Sequence, residues 1–508
     1  MPVASEADKR RTLQPQHELL RRIECIGGEV SIGLRHAPRP DYARRIPKLH
    51  DRGRLGISMQ HGAQLLCLCS DVPLEVDANG CEVNARFTLR QGERRYVSLT
   101  FSDMEPAVVP ALGAEAERRI HTSTDWWRSW AGRCTYQGPH RASVVRSALA
   151  LKLMTFAPSA AVVAAPTTSL PERIGGERNW DYRYCWLRDA SLTLQALHDL
   201  GYVEEAQAYL AWQLHATRLT WPRLRLMYDV FGRPDLPEQE LAHLAGFAGS
   251  RPVRIGNAAA SQLQLDVYGE VLDAVYQFTR RGGRLDRTMA RMLGGLGTTV
   301  CRCWREPDEG IWETRSGRRH HTFSKAMCWV ALDRLIKLHD EGHVRIARDR
   351  FADVRQEIRA EIESRGFSEQ MGSYAAELDG DDVDASLLQL GRYGYVDPES
   401  PRMRGTLETV QRRLGRNGLI YRYLRRKDGL PPGEGAFGIC GFWAVDALAR
   451  SGNLAGAVQT FEHILTYAND VGLYAEQIDP DTGAALGNFP QAFTHVGLIC
   501  AALTLAAA

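Results

Sequence analysis

Four stretches of the chain carry side chains suited to chemistry on a sugar. The first runs Gly175-Gly176-Glu177-Arg178-Asn179-Trp180-Asp181-Tyr182-Arg183-Tyr184-Cys185-Trp186-Leu187-Arg188-Asp189-Ala190. Flat rings interleaved with Arg, Asn and Asp fit a carbohydrate, because ring faces cover its C–H surfaces while ionised groups bind its hydroxyls. The second, Asp308 to Arg315, places Glu313 directly after Trp312. The third, Arg254 to Asn257, is followed by Gln262, Gln264 and Asp266 near a helix start, and the fourth sets Glu476 two residues after Tyr474. Each carboxylate alone is ordinarily a solvated group or an ion-pair partner. Two glutamates in separate aromatic loops, however, fit a general acid and a general base acting on one bond.

Other motifs carry less. Gly433 to Gly438 matches G-x-G-x-x-G but follows Asp428-Gly429-Leu430-Pro431-Pro432 instead of a hydrophobic strand. It is expected to open a buried helix and not to bind a dinucleotide. The acidic run Glu377 to Asp384 lacks the closing glutamate of a calcium loop, and Asp384 reads as the cap of a helix from Ala385. His320-His321 has no carboxylate or thiol at ligand spacing, so neither a metal nor a cofactor is expected.

The elements that must position these loops show two textures. From about Ile57 to Asp103, short runs at Leu65–Cys69, Leu74–Val76, Val83–Leu89 and Tyr96–Phe101 read as strands between turn residues. After about Ser123, apolar residues recur at helical spacing. The expected helices are Ser143–Phe156, Ala190–Leu200, Val203–His215, Leu263–Phe278, Arg287–Trp304 and Lys325–Leu338. Six more are Val344–Ser364, Ala385–Gly391, Arg402–Leu414, Gly438–Arg450, Ala455–Tyr467 and Gln491–Leu505.

Composition bounds the function. With 63 basic and 61 acidic residues among 508, the net charge of +2 argues against a nucleic-acid partner. A 44 % apolar content excludes general disorder. The eleven cysteines form no C-x-x-C pair and read as reduced thiols of a cytoplasmic protein. The first eleven residues lack the apolar core of a signal peptide, and the tail Val496 to Ala508 is too short to span a membrane. Association with further copies of the chain is left open.

Several longer segments sharpen this reading: Ala164-Ala165-Pro166-Thr167-Thr168-Ser169-Leu170-Pro171-Glu172, Gly176 to Tyr184, Arg251 to Asn257, Gly310-Ile311-Trp312-Glu313, Phe323 to Arg334 and Gly487 to His495. In that order, from about residue 140 onward, they resemble glycoside hydrolase family 15, the family of glucoamylases and bacterial trehalases. The resemblance implies a mainly α fold, an (α/α)6 barrel preceded by a partial, N-terminally truncated β-sandwich. The corresponding domains are residues 1–122 for the sandwich, 123–142 for a helical linker and 143–508 for the barrel. It implies Glu313 as general acid, kept protonated beside Trp312 in an apolar pocket, and Glu476 as general base. Arg188 and Asp189 would grip the terminal glucose, with Trp186, Tyr184 and Trp312 as walls. Asn257, Gln264, Asp266, Arg422 and Glu434 would complete the polar surround. The activity implied is inverting, exo-acting hydrolysis of α-glucosides. The substrate would be an α-glucan or maltooligosaccharide as for a glucoamylase, or trehalose in the alternative. A catalytically inactive glucan-binding protein is the alternative of another class.

Overall fold

The computed structural model describes residues 14–15, 17–103, 107–424, 428–431 and 433–508. The reading of the first eleven residues and the place of Pro432 in the glycine-rich run lie outside the described residues. Two compact units divide between Arg133 and Cys134.

Among the described residues the first unit holds eight strands: β1 His17–Glu24, β2 Glu29–His36, β3 Leu49–Asp51, β4 Ile57–His61, β5 Gln64–Ser70, β6 Glu75–Val76, β7 Val83–Arg90 and β8 Arg94–Ser102. They form a five-stranded sheet in the order β1-β8-β5-β4-β3 and a three-stranded sheet in the order β2-β7-β6, with every pairing antiparallel. β7 alternates as its period-two pattern requires: Val83, Ala85 and Leu89 point inward while Asn84, Arg86 and Thr88 face out. Val83 joins Leu49, Ile57, Met59, Leu68 and Val97 of the larger sheet in one apolar cluster. Strand structure therefore begins well before the expected Ile57. The helix α1, Ala114–Gly132, also starts ahead of the expected linker. Its Arg119 makes a buried ion pair with Glu18 of β1 at 3.1 Å, and Ser98 of β8 donates to the same carboxylate oxygen.

The second unit is helical. Its helices are α2 Arg141–Leu153, α3 Arg188–Asp199, α4 Val203–Thr220, α5 Asp266–Arg280, α6 Arg287–Cys303 and α7 Thr322–Asp340. There follow α8 Arg348–Arg365, α9 Pro401–Leu414, α10 Gly438–Arg450, α11 Leu454–Leu465 and α12 Ala492–Ala507. The expected helix Ala385–Gly391 is instead a 3-10 helix over Ala385–Gln389, begun by Asp384, whose side chain accepts from the Ser386 amide as a cap. Asp286 and Ser400 cap α6 and α9 in the same way.

Packing sorts these helices into two kinds. α3, α5, α7, the 3-10 helix, α10 and α12 contact one another in that order, and α12 returns to α3. α7 and α10 are buried along nearly their whole length, as helices apolar on every side should be. The remaining helices each back this circuit: α2 on α12, α4 on α3, α6 and α8 on α7, α9 on the 3-10 helix, and α11 on α10. Among the described residues no helix is long and apolar enough to cross a membrane. All eleven cysteines are unpaired, and nine of them are buried.

Candidate active site

The segments that lead into the inner helices carry the expected site residues. Tyr184, Trp186, Arg188 and Asp189 precede or begin α3, and Asn257, Gln264 and Asp266 do so for α5. Trp312 and Glu313 lie ahead of α7, Arg422 and Glu434 ahead of α10, and Glu476 ahead of α12. Because every one of these segments enters its helix from the same direction along the chain, the circuit gathers them at one end. Short pairings brace them: Cys185–Trp186 with Met227–Tyr228, and Ala436–Phe437 with Gln477–Ile478.

An open cavity of about 630 Å³, its mouth included, lies there. Of the expected residues, Arg188, Asn257, Trp312, Glu313 and Arg422 line it. Four stand one contact behind. Trp186 donates its Nε1–H to Glu313 at 2.8 Å, and Asp189 pairs with Arg188 at 3.2 Å. Glu434 accepts from Nε of Arg422 at 3.0 Å with both oxygens. Glu476 accepts the hydroxyl of Tyr182, itself a lining residue, at 2.7 Å. The other three, Gln264, Tyr184 and Asp266, do not line the cavity. Gln264 donates to Gln262, and the Tyr184 carbonyl accepts from Ala164. Asp266 is wholly buried at the start of α5, where burial and then Asp308 push its carboxyl up to about 7. Burial likewise raises Asp189 to about 6, against the pull of Arg188.

Glu313 sits on a backbone that its residue type disfavours. Its φ of 56° lies in the left-handed region, which suits glycine. Gly310 three residues earlier, at φ 70°, makes the turn, and a Cβ there would come within 2.4 Å of the His321 ring. The Gln262 amide holds the Glu313 carbonyl at 3.2 Å. Such strain is retained where the side chain has a task. The apolar setting expected for this carboxyl is not what surrounds it. Trp312 turns its ring toward Tyr423, Phe437 and Trp443. Glu313 Oε1 instead accepts from Trp186 and, at 3.0 Å, from Nη1 of Arg188, whose own Nη1 also holds the Ile311 carbonyl.

Glu476 is the more secluded carboxyl, with no exposed surface. Oε2 accepts the Asn488 amide at 3.2 Å and lies against Gly487, where an added Cβ would fall 2.4 Å from that oxygen. Burial raises its affinity for a proton, the charge of Glu172 adds to this, and the Tyr182 hydroxyl opposes it. Tyr182, Trp180, Arg178 and Glu172 are the participants that residue types did not single out. Trp180 and Tyr182 belong to the aromatic first loop and Glu172 to the Ala164–Glu172 segment, so the signal was membership of the segment. Arg315 and Arg254 stand over the Trp180 ring at 4.3 and 4.6 Å.

A cavity with one carboxylate on its wall and a second directly behind it can run acid–base hydrolysis, and comparison with known proteins agrees. The family model for glycosyl hydrolases family 15 matches residues 138–503. A trehalase of Mycolicibacterium smegmatis is 37 % identical over 495 residues, covering 95 % of this chain and 74 % of that one. A trehalase of Mycobacterium tuberculosis is 36 % identical over 505 residues, covering 95 % and 72 %. A bacterial glucoamylase solved in complex with acarbose superposes with a TM-score of 0.69 at 13 % identity, over 88 % of this chain and 73 % of that one. With the match spanning most of the helical unit and both candidate glutamates, this chain belongs to glycosyl hydrolases family 15 and is a glycoside hydrolase.

Proposed function

We propose that the enzyme is an inverting α,α-trehalase. The observation that carries the reading is the pairing of Glu313 on the cavity wall with Glu476 behind Tyr182. Glu313 delivers a proton to the glycosidic oxygen as the C1–O bond breaks. Glu476 takes a proton from the water whose oxygen bonds to C1 on the opposite face, so Glu313 ends ionised and Glu476 protonated. Solvent then restores both. Arg188, held by Asp189, grips hydroxyls of the glucose at the cavity floor, and Arg422, held by Glu434, does so from another wall. The helical circuit reads as an (α/α)6 barrel with the 3-10 helix as one inner stave, and the two sheets as a partial β-sandwich.

Trehalose is preferred over α-glucans because the trehalases resemble this chain at 36–37 % identity, whereas the glucoamylase likeness, at 13 %, extends to fold alone. The α-glucan expectation thus yields to its alternative. The non-catalytic alternative is set aside, since both glutamates are seated and partnered. Incubation with trehalose, maltose and soluble starch, followed by proton NMR of the first products, tests the proposal. Inversion releases one β-glucose and one α-glucose from each trehalose. Two α-glucoses, or release from starch without release from trehalose, would refute it.

A further inference from the structure

One buried acid beside the cavity has no task so far. Glu172 is 1 % exposed and follows directly on Pro171, whose carbonyl accepts the amide of Gly487, the residue packed on the Glu476 carboxylate. Gln477, next to Glu476, lies among the groups that face the Glu172 carboxyl. On its other side Glu172 Oε2 accepts from Nη2 of Arg422 at 2.9 Å. Glu172 therefore touches both the hairpin that carries Glu476 and a cation of the cavity wall.

Structural need alone does not explain it. Glu434 already holds Arg422 through both of its oxygens, and Arg178 is satisfied by Asp428 at 2.7 Å. Four carboxylates, Glu172, Glu434, Asp428 and Glu476, thus stand with two guanidiniums at the cavity wall, and Glu172 and Glu476 are the two withdrawn from its surface. A buried group short of positive charge retains a proton, because adjacent carboxylates cannot all ionise.

We propose that Glu172 is a positioning residue for the hydrolysis, fixing Arg422 on the cavity wall and holding negative charge behind Glu476 so that Glu476 draws a proton from water more strongly. The inference rests on Glu476 being the base. The groups facing Glu476 are the Tyr182 hydroxyl, the Asn488 amide, Glu172 and Arg422, with Glu313 across the cavity also facing Tyr182. Arg178 and Glu434 face Glu172 in turn. Of the charged groups, Glu172 acts most strongly to keep the proton on Glu476, and Arg422 opposes it.

The test is kcat/KM against pH, on whichever sugar of the panel is turned over, for the wild type, Glu172→Gln, Glu172→Asp and Arg422→Gln. The rising acid limb follows ionisation of Glu476. Removing the Glu172 charge shifts that limb to lower pH by about 1 unit, the size expected of one close charge. Glu172→Asp keeps the charge and leaves the limb in place even where kcat falls. Arg422→Gln removes the opposing charge and moves the limb upward. A folded Glu172→Gln enzyme whose limb does not move overturns the proposal. Should that variant fail to fold, an Arg422→Gln limb that stays or falls overturns it equally. Wild-type rates in Glu476→Gln would instead remove the base itself, a separate failure.

Discussion

Glu313 and Glu476 are the same side chain in opposite settings. Glu313 lies on the cavity wall with a guanidinium and an indole N–H aimed at one oxygen, on a backbone that favours glycine. Glu476 has no exposed surface, one phenol and one amide as donors, and a second acid behind it. The contrast teaches that the task of each carboxyl is set by what surrounds it. The donor-rich group stands on the cavity wall, while burial and the charge of Glu172 raise the secluded one's affinity for a proton.

The comparison breaks most visibly when either carboxyl is neutralised. Glu313→Gln and Glu476→Gln should each lower kcat by at least ~10²-fold while melting near the wild-type temperature, the usual loss for a missing acid or base. Only Glu476→Gln should also abolish the acid limb. A smaller change sharpens it: Tyr182→Phe removes a donor to the Glu476 carboxylate, so the proton is held more tightly. Its acid limb should move to higher pH and its rate at neutral pH fall by about tenfold, on the scale of one charge-assisted hydrogen bond. Trp186→Phe removes the N–H given to Glu313 and keeps a ring against Tyr182, so it should reduce kcat by several-fold and leave the acid limb unmoved. Asp286→Ala touches neither carboxyl. It removes the cap of α6 and should cost about 1 kcal/mol in thermal unfolding with kcat unchanged.

How far residue patterns reached differs along the chain. α10 lies over Gly438–Arg450, as apolar spacing placed it, because a helix buried on every side leaves a continuous apolar record. Ala385 to Gln389 carries the same record, yet only the 3-10 turn forms, with Leu390 to Gly394 continuing as a tight bend. β1 escapes the pattern because Leu19-Leu20-Arg21-Arg22 does not alternate, whereas β2 does alternate at Val30, Ile32 and Leu34, and both strands keep much of their surface exposed. In the site, Glu313 and Arg188 stand in loops that residue types marked, whereas Arg422 was implied by the resemblance alone. Glu172 and Tyr182 lie in the quoted segments, but what sets them apart there is contact with Arg422 and Glu476, 250 and 294 positions away. Gln264 and Tyr184 stand in the right segments but do not line the cavity, and segment membership does not determine which residues reach its wall.

The seat of Glu476 against Gly487 also governs how such an enzyme can change over generations. With φ at 73° and room for hydrogen alone, position 487 strains any larger residue and presses it on the Glu476 carboxylate. Arg315, at the cavity's edge and paired with Glu238, is a third exposed and can be exchanged without disturbing either carboxyl. Exchange is thus easier at that rim than at the seat of Glu476.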